Sequence, residues 1–134
     1  MRVLSSELFE VRGPLDIVAL RLAVRKRAIS LGFGLVDQTK IVTASSELAR
    51  NTLDYGGGGT VDMEVIEHER KCGLRLIFLD QGSGIPDIKL ALTDGYSSRE
   101  GLGLGLGGAR RLSHEFEISS KLGEGTRVSI LRWK

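Results

Sequence analysis

The stretch whose residues are best suited to chemistry is the glycine-rich segment at residues 99–109. It places five glycines in an eight-residue window, with leucines between them, just before a predicted helix. Glycine leaves no side chain between the backbone and a ligand, and the free N–H groups at a helix start favour an anion such as phosphate. We therefore expect this segment to form a cradle for nucleotide phosphates.

Two other groups of residues have types and spacings suited to a site. Glu47 and Asn51 lie one turn apart on a predicted helix, so both side chains project from the same flank. Asp80 ends a predicted central strand and is followed by Gly82 and Gly84, which places a carboxylate over a cavity floored by backbone. From the residues alone, Glu47 and Asn51 also fit plain surface positions, and Asp80 also fits a simple acidic turn.

The first half of the chain predicts the elements that position Glu47 and Asn51. A strand is expected at residues 2–11, followed by a helix that starts at Pro14 and stops at Gly32 and Gly34. A second helix is expected from Asp37, a good N-cap residue, to Tyr55. Both helices carry apolar stripes at spacings of three and four: Ile17, Leu20, Val24, Ala28 and Leu31 in the first, and Ile41, Ala44, Leu48, Thr52 and Tyr55 in the second.

The second half of the chain predicts most of a sheet. Strands at 60–67 and 74–79 flank a polar turn at 68–73 and form a predicted hairpin. Then follow a short helix at 87–92, a loop at 93–100, a helix at 104–113, a strand around 116–118, a turn at 123–125 and a strand at 126–131. This order predicts one α+β domain over residues 1–134, a two-layer sandwich with helices on one face of a mixed, mainly antiparallel sheet.

Composition narrows the class of protein. The 134 residues are 41% hydrophobic and 27% charged, which is typical of a soluble globular domain. The net charge of +2 is too small to argue for nucleic-acid or membrane binding, and no apolar run approaches membrane-spanning length. Cys72 is the lone cysteine, and His68 and His114 stand apart without a partner motif. We expect a cytoplasmic protein with neither nucleic acid nor membrane as partner.

Three other glycine-rich nucleotide sites fit the sequence poorly. Gly103, Gly105 and Gly108 satisfy the dinucleotide motif G-x-G-x-x-G, but a polar loop precedes them where that motif needs a buried strand. The Walker A sequence is absent, and so are the H-R-D and D-F-G elements of eukaryotic-type protein kinases. The glycines therefore need a different fold around them.

Four motifs in a definite order resemble one known ATP-binding fold. They are Glu47-x-x-x-Asn51, Asp80-x-Gly82-x-Gly84-Ile85, Gly101-Leu102-Gly103-Leu104-Gly105 and Gly123-x-Gly125-Thr126. This set looks like the Bergerat fold of the GHKL superfamily, shared by gyrase, MutL and histidine-kinase catalytic domains. In its short length the chain resembles the stand-alone serine/threonine kinases of bacterial partner-switching systems, which include anti-sigma factors. The helix at 47–52, the loop at 93–98 and the Gly-Leu repeat look most like the RsbT-like stressosome switch kinases in this group.

The resemblance implies a role for each matching residue. Asn51 would offer its side-chain oxygen to Mg²⁺, and Glu47 would be the general base on the substrate hydroxyl. Asp80 would accept a hydrogen bond from the adenine amino group, with Gly82, Gly84 and Thr126 at the same end. The backbone N–H groups of Gly101, Gly103 and Gly105 would bind the phosphates of ATP. Arg99 would reach the γ-phosphate or a partner.

The resemblance also implies partners. Kinases of this kind phosphorylate serine or threonine on small STAS-domain proteins, and the stressosome type, once released, binds and activates a phosphatase. An alternative within the same group is an anti-sigma factor that sequesters a sigma subunit, with nucleotide gating the binding. The expected downstream partner is therefore a serine/threonine phosphatase or a sigma factor.

Overall fold

A computed structural model describes residues 1–82, 84–85, 92 and 105–134 of the chain. The predicted loop at 93–100 and all but the last residue of the predicted helix at 87–92 lie outside these residues. So do three predicted site residues, Arg99, Gly101 and Gly103. The described elements are β1 (Arg2–Val11), α1 (Pro14–Ser30), α2 (Leu35–Asp54), β2 (Gly59–His68), β3 (Lys71–Asp80), α3 (Gly105–Arg111), β4 (Glu115–Lys121) and β5 (Gly125–Trp133).

The described strands form one sheet in the order β1-β2-β3-β5-β4. Each pairing between these strands is antiparallel. Alternate residues of β2, β3 and β5 enter a common apolar core with α1, α2 and α3. The predicted α+β fold, with helices on one face of a mainly antiparallel sheet, is confirmed.

Helix α1 forms where the apolar periodicity predicts it. Pro14 occupies its first turn, and the Asp16 carboxylate accepts the N–H groups of Arg12 and Gly13 at 2.8 and 3.1 Å. A carboxylate at this end also complements the helix dipole. Four of the five predicted core positions are buried and the fifth, Leu31, is half-buried.

Helix α2 begins two residues earlier than predicted, and Asp37 is not its N-cap. Gly34 is the cap, and its carbonyl accepts the Gln38 N–H at 2.9 Å. Asp37 lies in the first turn instead, where its carboxylate contacts Arg132. Tyr55 follows the last helical residue, Asp54, and is exposed, so its assignment to the apolar stripe is wrong.

The predicted six-residue polar turn between β2 and β3 is also wrong. The antiparallel ladder continues to the pair His68–Lys71, so that only Glu69 and Arg70 form the turn. Both have positive φ, 50° and 69°. Such two-residue turns match the twist of paired strands, and the ladder satisfies the backbone groups of the polar residues on either side.

Candidate active site

Asp80 lies at the end of a central strand. It is the last residue of β3 and pairs with Gly59 of β2 on one side and Thr126 of β5 on the other. Its Oδ1 accepts the N–H of Gly82 at 2.9 Å. The half-buried carboxylate is therefore held at the end of the sheet by its own loop, and a carboxylate has lone pairs for further donors.

Three glycines bring backbone from three elements against Asp80. A Cβ on Gly56, just after α2, would lie 2.5 Å from the Asp80 Cβ and 2.6 Å from the Thr52 carbonyl oxygen. A Cβ on Gly82 would lie 2.7 Å from the Gly56 Cα. Gly125 has φ +90°, and a Cβ there would lie 3.0 Å from the Gln81 Cα. Side chains at these positions would collide with atoms already there, so glycine lets these backbone segments pack directly against Asp80 and its loop; we call this packed backbone the glycine floor.

A hydroxyl network joins the β4–β5 hairpin to the loop after Asp80. Ser120 Oγ accepts the Ile85 N–H at 2.8 Å and lies 2.8 Å from Thr126 Oγ1 and 3.1 Å from the Gly125 carbonyl oxygen. Gly84 has φ +83° and passes close to the backbone of Lys121. The predicted residues Gly84 and Thr126 are thus brought beside Asp80, at the same end of the sheet.

Ser120 did not emerge as a site residue from the sequence. It is the second of two serines on a strand in which apolar and polar residues alternate. A serine in such a strand usually lies on the surface. The sequence feature that could have identified Ser120 is its position in a hairpin whose other strand starts with the Gly125-Thr126 motif. The observed register places Ser120 directly opposite Thr126.

Glu47 and Asn51 lie on one flank of α2, beside buried Leu48 and Thr52. Both are half-buried. The Asn51 carbonyl oxygen accepts the N–H groups of Tyr55 and Gly56 at 3.0 and 3.3 Å, so Asn51 sits in the turn that leads to the glycine floor. Glu47 is one turn, or about 6 Å of helix, further from that end.

Helix α3 packs against α2. Its residues 106–109 are buried, and two of them are glycines. Gly105 is its first residue, so this predicted phosphate-binding glycine lies where the glycine-rich segment enters the helix. Together, the described structure gathers Asp80, Gly82, Gly84 and Thr126, places Asn51 and Glu47 on the adjoining helix, and puts Gly105 at the start of the neighbouring one.

The opposite end of the two layers carries a charged contact. Arg132 is buried on β5; its Nη2 donates to Asp37 Oδ1 at 2.6 Å and its Nη1 donates to the Leu112 carbonyl oxygen at 2.9 Å. The hydrogen bond from Arg132 lowers the pKa of Asp37. Next to it, His114 Nδ1 accepts the Trp133 N–H at 2.8 Å, and desolvation followed by the Arg132 charge lowers the pKa of His114.

Residues 36–134 match the family described as histidine kinase-, DNA gyrase B-, and HSP90-like ATPase. The chain belongs to this ATPase family. The serine/threonine-protein kinase RsbT of Bacillus subtilis (strain 168) is 49% identical over 118 residues, which cover 88% of this chain and 89% of that relative. Similarity at this level confirms the prediction of a serine/threonine-protein kinase of the GHKL partner-switching class.

Solved structures support the same fold. The crystal structure of the RsbU and RsbW domains of a Mycobacterium tuberculosis protein matches with a TM-score of 0.66 at 17% identity. The match covers 97% of this chain and 33% of that longer one, and at this identity it shows the fold alone. Among the helices that the structure describes, none is long and apolar enough to cross a membrane.

Proposed function

We propose that the chain uses Mg²⁺ and ATP to phosphorylate serine or threonine of STAS-domain proteins in the cytoplasm. When released from them, it binds and activates a phosphatase in a stressosome-type pathway. The observation that best supports a nucleotide site is the convergence of Gly56, Gly82 and Gly125 on Asp80. Gly56 and Gly82 pack against the Asp80 side chain and Gly125 against its backbone carbonyl, which supports a carboxylate fixed at the end of the sheet with lone pairs for a polar ligand.

The end of the sheet fits the adenine ring. Asp80 accepts the adenine amino group, because a carboxylate is an acceptor of two or more N–H bonds. Gly82 packs against Gly56 and Gly84 against the backbone of Lys121, so the loop that follows Asp80 is held close to the end of the sheet. Thr126, directly opposite Asp80 in the register, supplies a hydroxyl at the same edge.

The flank of α2 fits the reacting end of the nucleotide. Asn51 offers an amide oxygen, the hard ligand that Mg²⁺ prefers together with phosphate oxygens. The bound Mg²⁺ supplies charge neutralisation at the phosphates. Backbone N–H groups of Gly101, Gly103 and Gly105 bind the phosphates, and Arg99 pairs with the γ-phosphate or with a partner.

Glu47 is the general base in this proposal. It takes the proton of the substrate hydroxyl while that oxygen bonds to the γ-phosphorus and the bond from that phosphorus to ADP breaks. Because phosphoryl transfer depends chiefly on positioning and electrostatics, a base one turn from the Mg²⁺ ligand is suitably placed. Glutamate on a helix flank also reaches a hydroxyl brought by a partner protein.

The nucleotide site is tested by calorimetry with ATP in the presence of Mg²⁺, with NAD as the comparison ligand. We expect wild type to bind ATP and not NAD, and Asp80→Asn to lose binding. Glu117→Gln is the matched control, because Glu117 is an exposed acid of β4. Wild type that fails to bind ATP, alone and with a STAS-domain protein present, would contradict the proposal.

The partners are tested separately. Purified STAS-domain proteins should become labelled from γ-³²P-ATP by wild type, at serine or threonine. A phosphatase should then be captured by the kinase only after STAS phosphorylation. Capture of a sigma factor instead, with no labelled STAS protein, would favour the anti-sigma alternative.

A further inference from the structure

We propose that the outward face of α1 is a docking surface for the phosphatase, which presents to it a helix with an apolar stripe flanked by acidic residues. The inference rests on the proposed function, in which the released kinase binds and activates a phosphatase. It adds the surface of the kinase that makes this contact and the chemistry of the segment that occupies it.

Helix α1 carries two apolar stripes on opposite sides. One is buried in the core and consists of Ile17, Leu20, Val24 and Ala28. The other, which we call the outer stripe, consists of Leu15, Val18, Leu22 and Ile29, whose exposed fractions lie between 50% and 82%. Their spacings of three, four and seven place them on one side of a helix with 3.6 residues per turn. Single apolar residues on a surface are common, but an exposed row of them is typical of an interaction site.

The neighbouring helix shows that this row is not a general property of the helical layer. Helix α2 packs beside α1 over the same sheet. Its first turn has two exposed apolar residues, Leu35 and Val36. Beyond that turn its outward positions are polar: Thr39, Thr43, Ser46 and Arg50. The apolar row is therefore specific to α1, and packing within the described domain leaves it uncovered.

Positive charges border the outer stripe. At 3.6 residues per turn, Arg21 and Arg25 lie along one side of it and Lys26 along the other. Arg25 donates to the Gln38 side-chain oxygen at 3.4 Å. In the part of the chain that the structure describes, neither Arg21 nor Lys26 forms an ion pair. The acidic residue of α1, Asp16, accepts backbone N–H groups at the start of the helix. The surface is therefore positively charged and complements an acidic partner.

A second copy of the chain is a poor occupant of this face. The basic residues lie around Leu22, in the middle of the outer stripe. Two copies that paired their stripes, parallel or antiparallel, would bring these charges together, and like charges are unfavourable across an interface. A helix with aspartate or glutamate beside its apolar residues would instead attract them. The outer stripe extends about 21 Å along α1, which is the length of about four turns of such a helix.

The position of α1 favours the phosphatase over the STAS protein as the occupant. The residues assigned to the nucleotide and to the reaction lie on α2, α3, β3 and β5 and in the adjoining loops, and none lies on α1. A STAS protein must bring its hydroxyl to Glu47 of α2 in order to be phosphorylated. A partner on the outward face of α1 has no such requirement, which fits a phosphatase that is activated by being bound.

The docking surface is tested by calorimetry with the purified kinase and the purified phosphatase. We expect Leu22→Ser and Lys26→Glu each to weaken binding by about tenfold or more, because the first removes an apolar anchor and the second repels the acidic residues. The matched controls are Leu8→Ser on β1 and Arg70→Glu in the β2–β3 turn, both at exposed positions. They should bind the phosphatase as wild type does. Mg·ATP binding and STAS phosphorylation should stay at wild-type levels in all four variants.

The acidic chemistry of the occupant is tested by carbodiimide cross-linking, which joins an ammonium group to a carboxylate in contact with it. We expect mass spectrometry to show Lys26 linked to an aspartate or glutamate in a helix of the phosphatase. Lys26→Arg should lose this cross-link and keep the affinity, because arginine retains the positive charge. If Lys26 is linked to no carboxylate of the phosphatase, the acidic occupant is wrong.

Other results would overturn the inference in distinguishable ways. Wild-type phosphatase affinity in Leu22→Ser would show that the phosphatase binds elsewhere. Loss of STAS phosphorylation in that variant, with Mg·ATP binding intact, would assign the surface to the STAS protein. A wild-type dimer that Leu22→Ser converts to monomers would assign it to a second copy. If wild type phosphorylates STAS proteins but binds no phosphatase, the phosphatase part of the proposed function itself fails. Thermal unfolding of the variants shows whether any of them has lost its fold.

Discussion

Glu47 and Asn51 differ by one turn of helix, yet the proposed mechanism assigns them separate steps. Asn51 lies in the turn that leads to Gly56, next to the floor of the site. Glu47 lies further from the glycines, on the same half-buried flank. Binding of the nucleotide and removal of the hydroxyl proton should therefore respond to different substitutions.

Asn51→Ala should weaken Mg·ATP binding on the order of tenfold, because an oxygen ligand is lost. Glu47→Gln should keep binding and lower kcat by about a hundredfold or more, the usual contribution of a general base. Calorimetry and STAS phosphorylation measure the two effects. Arg50→Ala, an exposed change on the same helix, is the control. Full kinase activity in both variants would show that the catalytic assignment is wrong.

At the residue scale, the sequence predicts positions that follow from periodicity and misses those that depend on register. Glu47 and Asn51 share a flank because four residues make one helical turn, whatever the rest of the chain does. Ser120 matters only because β4 pairs with β5 in a register that sets it opposite Thr126. A register between strands is a tertiary property, and an alternating serine carries no local signal of it.

Among the elements, α2 constrains the site at its C-terminal end, where Gly56 packs tightly against Asp80. Gly56→Ala would drive a methyl group into Asp80 and the Thr52 carbonyl, both backed by the sheet and the helix. We expect a loss of about 1–3 kcal/mol in the free energy of unfolding and a loss of ATP binding. Urea unfolding and calorimetry measure both.

Gly34→Ala provides the control for that substitution. Gly34 caps the other end of α2, and a Cβ there meets open space. The exchange of a cap glycine for alanine should cost about 1 kcal/mol or less and leave ATP binding intact. If Gly56→Ala behaves like Gly34→Ala in both measurements, the close approach to Asp80 does not shape the site.

At the end of the two layers opposite Asp80, the group formed by Arg132, Asp37 and His114 predicts that the free energy of unfolding depends on pH. Desolvation and the Arg132 charge lower the pKa of His114, opposed by Asp37, while Lys40 and Lys71 also lower it. The unfolded histidine binds a proton near pH 6.5, so the unfolded state takes up more protons below that pH. Stability should fall as pH drops below about 6.5 and stay level above it.

His114→Gln tests this pH dependence. Glutamine still accepts the Trp133 N–H but does not titrate, so the fall in unfolding free energy between pH 6.5 and 5 should become shallower. Ser119→Ala, an exposed change that removes no titratable group, is the control and should keep the wild-type slope. Equal slopes for wild type and His114→Gln in urea titrations would contradict the assignment.

Element boundaries show where sequence patterns stop being informative. The core faces of α1 and α2 were predictable because apolar residues recur at helical spacing. The start of α2 was not, because Asp37 is a good cap in isolation and its partner Arg132 is 95 positions away. The β2–β3 turn was overestimated because polar residues at 68–73 resemble a loop, although a ladder pairs most of them.

At the scale of the whole molecule, the two layers have different tasks at their two ends. At the end with Asp80, Thr126 and Gly56, glycine backbone packs against Asp80, and the Asp80 carboxylate and Thr126 hydroxyl are groups that can form hydrogen bonds. The end with Asp37 and Arg132 ties α2, β5 and the residue after α3 together. Because α2, α3 and β5 run between the two ends, a ligand at the first should stabilise the whole sandwich rather than a single loop.

Mg·ATP should accordingly raise the melting temperature of the complete chain. A ligand at about a hundred times its Kd adds about 2.7 kcal/mol to the folded state. With an unfolding entropy of about 2.1 cal/mol/K per residue, this corresponds to roughly 10 °C for a chain of 134 residues. Differential scanning fluorimetry should show one transition that moves as a unit in wild type and much less in Asp80→Asn at the same ATP concentration. A second transition that stays in place would mean that ATP orders only part of the fold, and an equal shift in both proteins would mean that ATP binds away from Asp80.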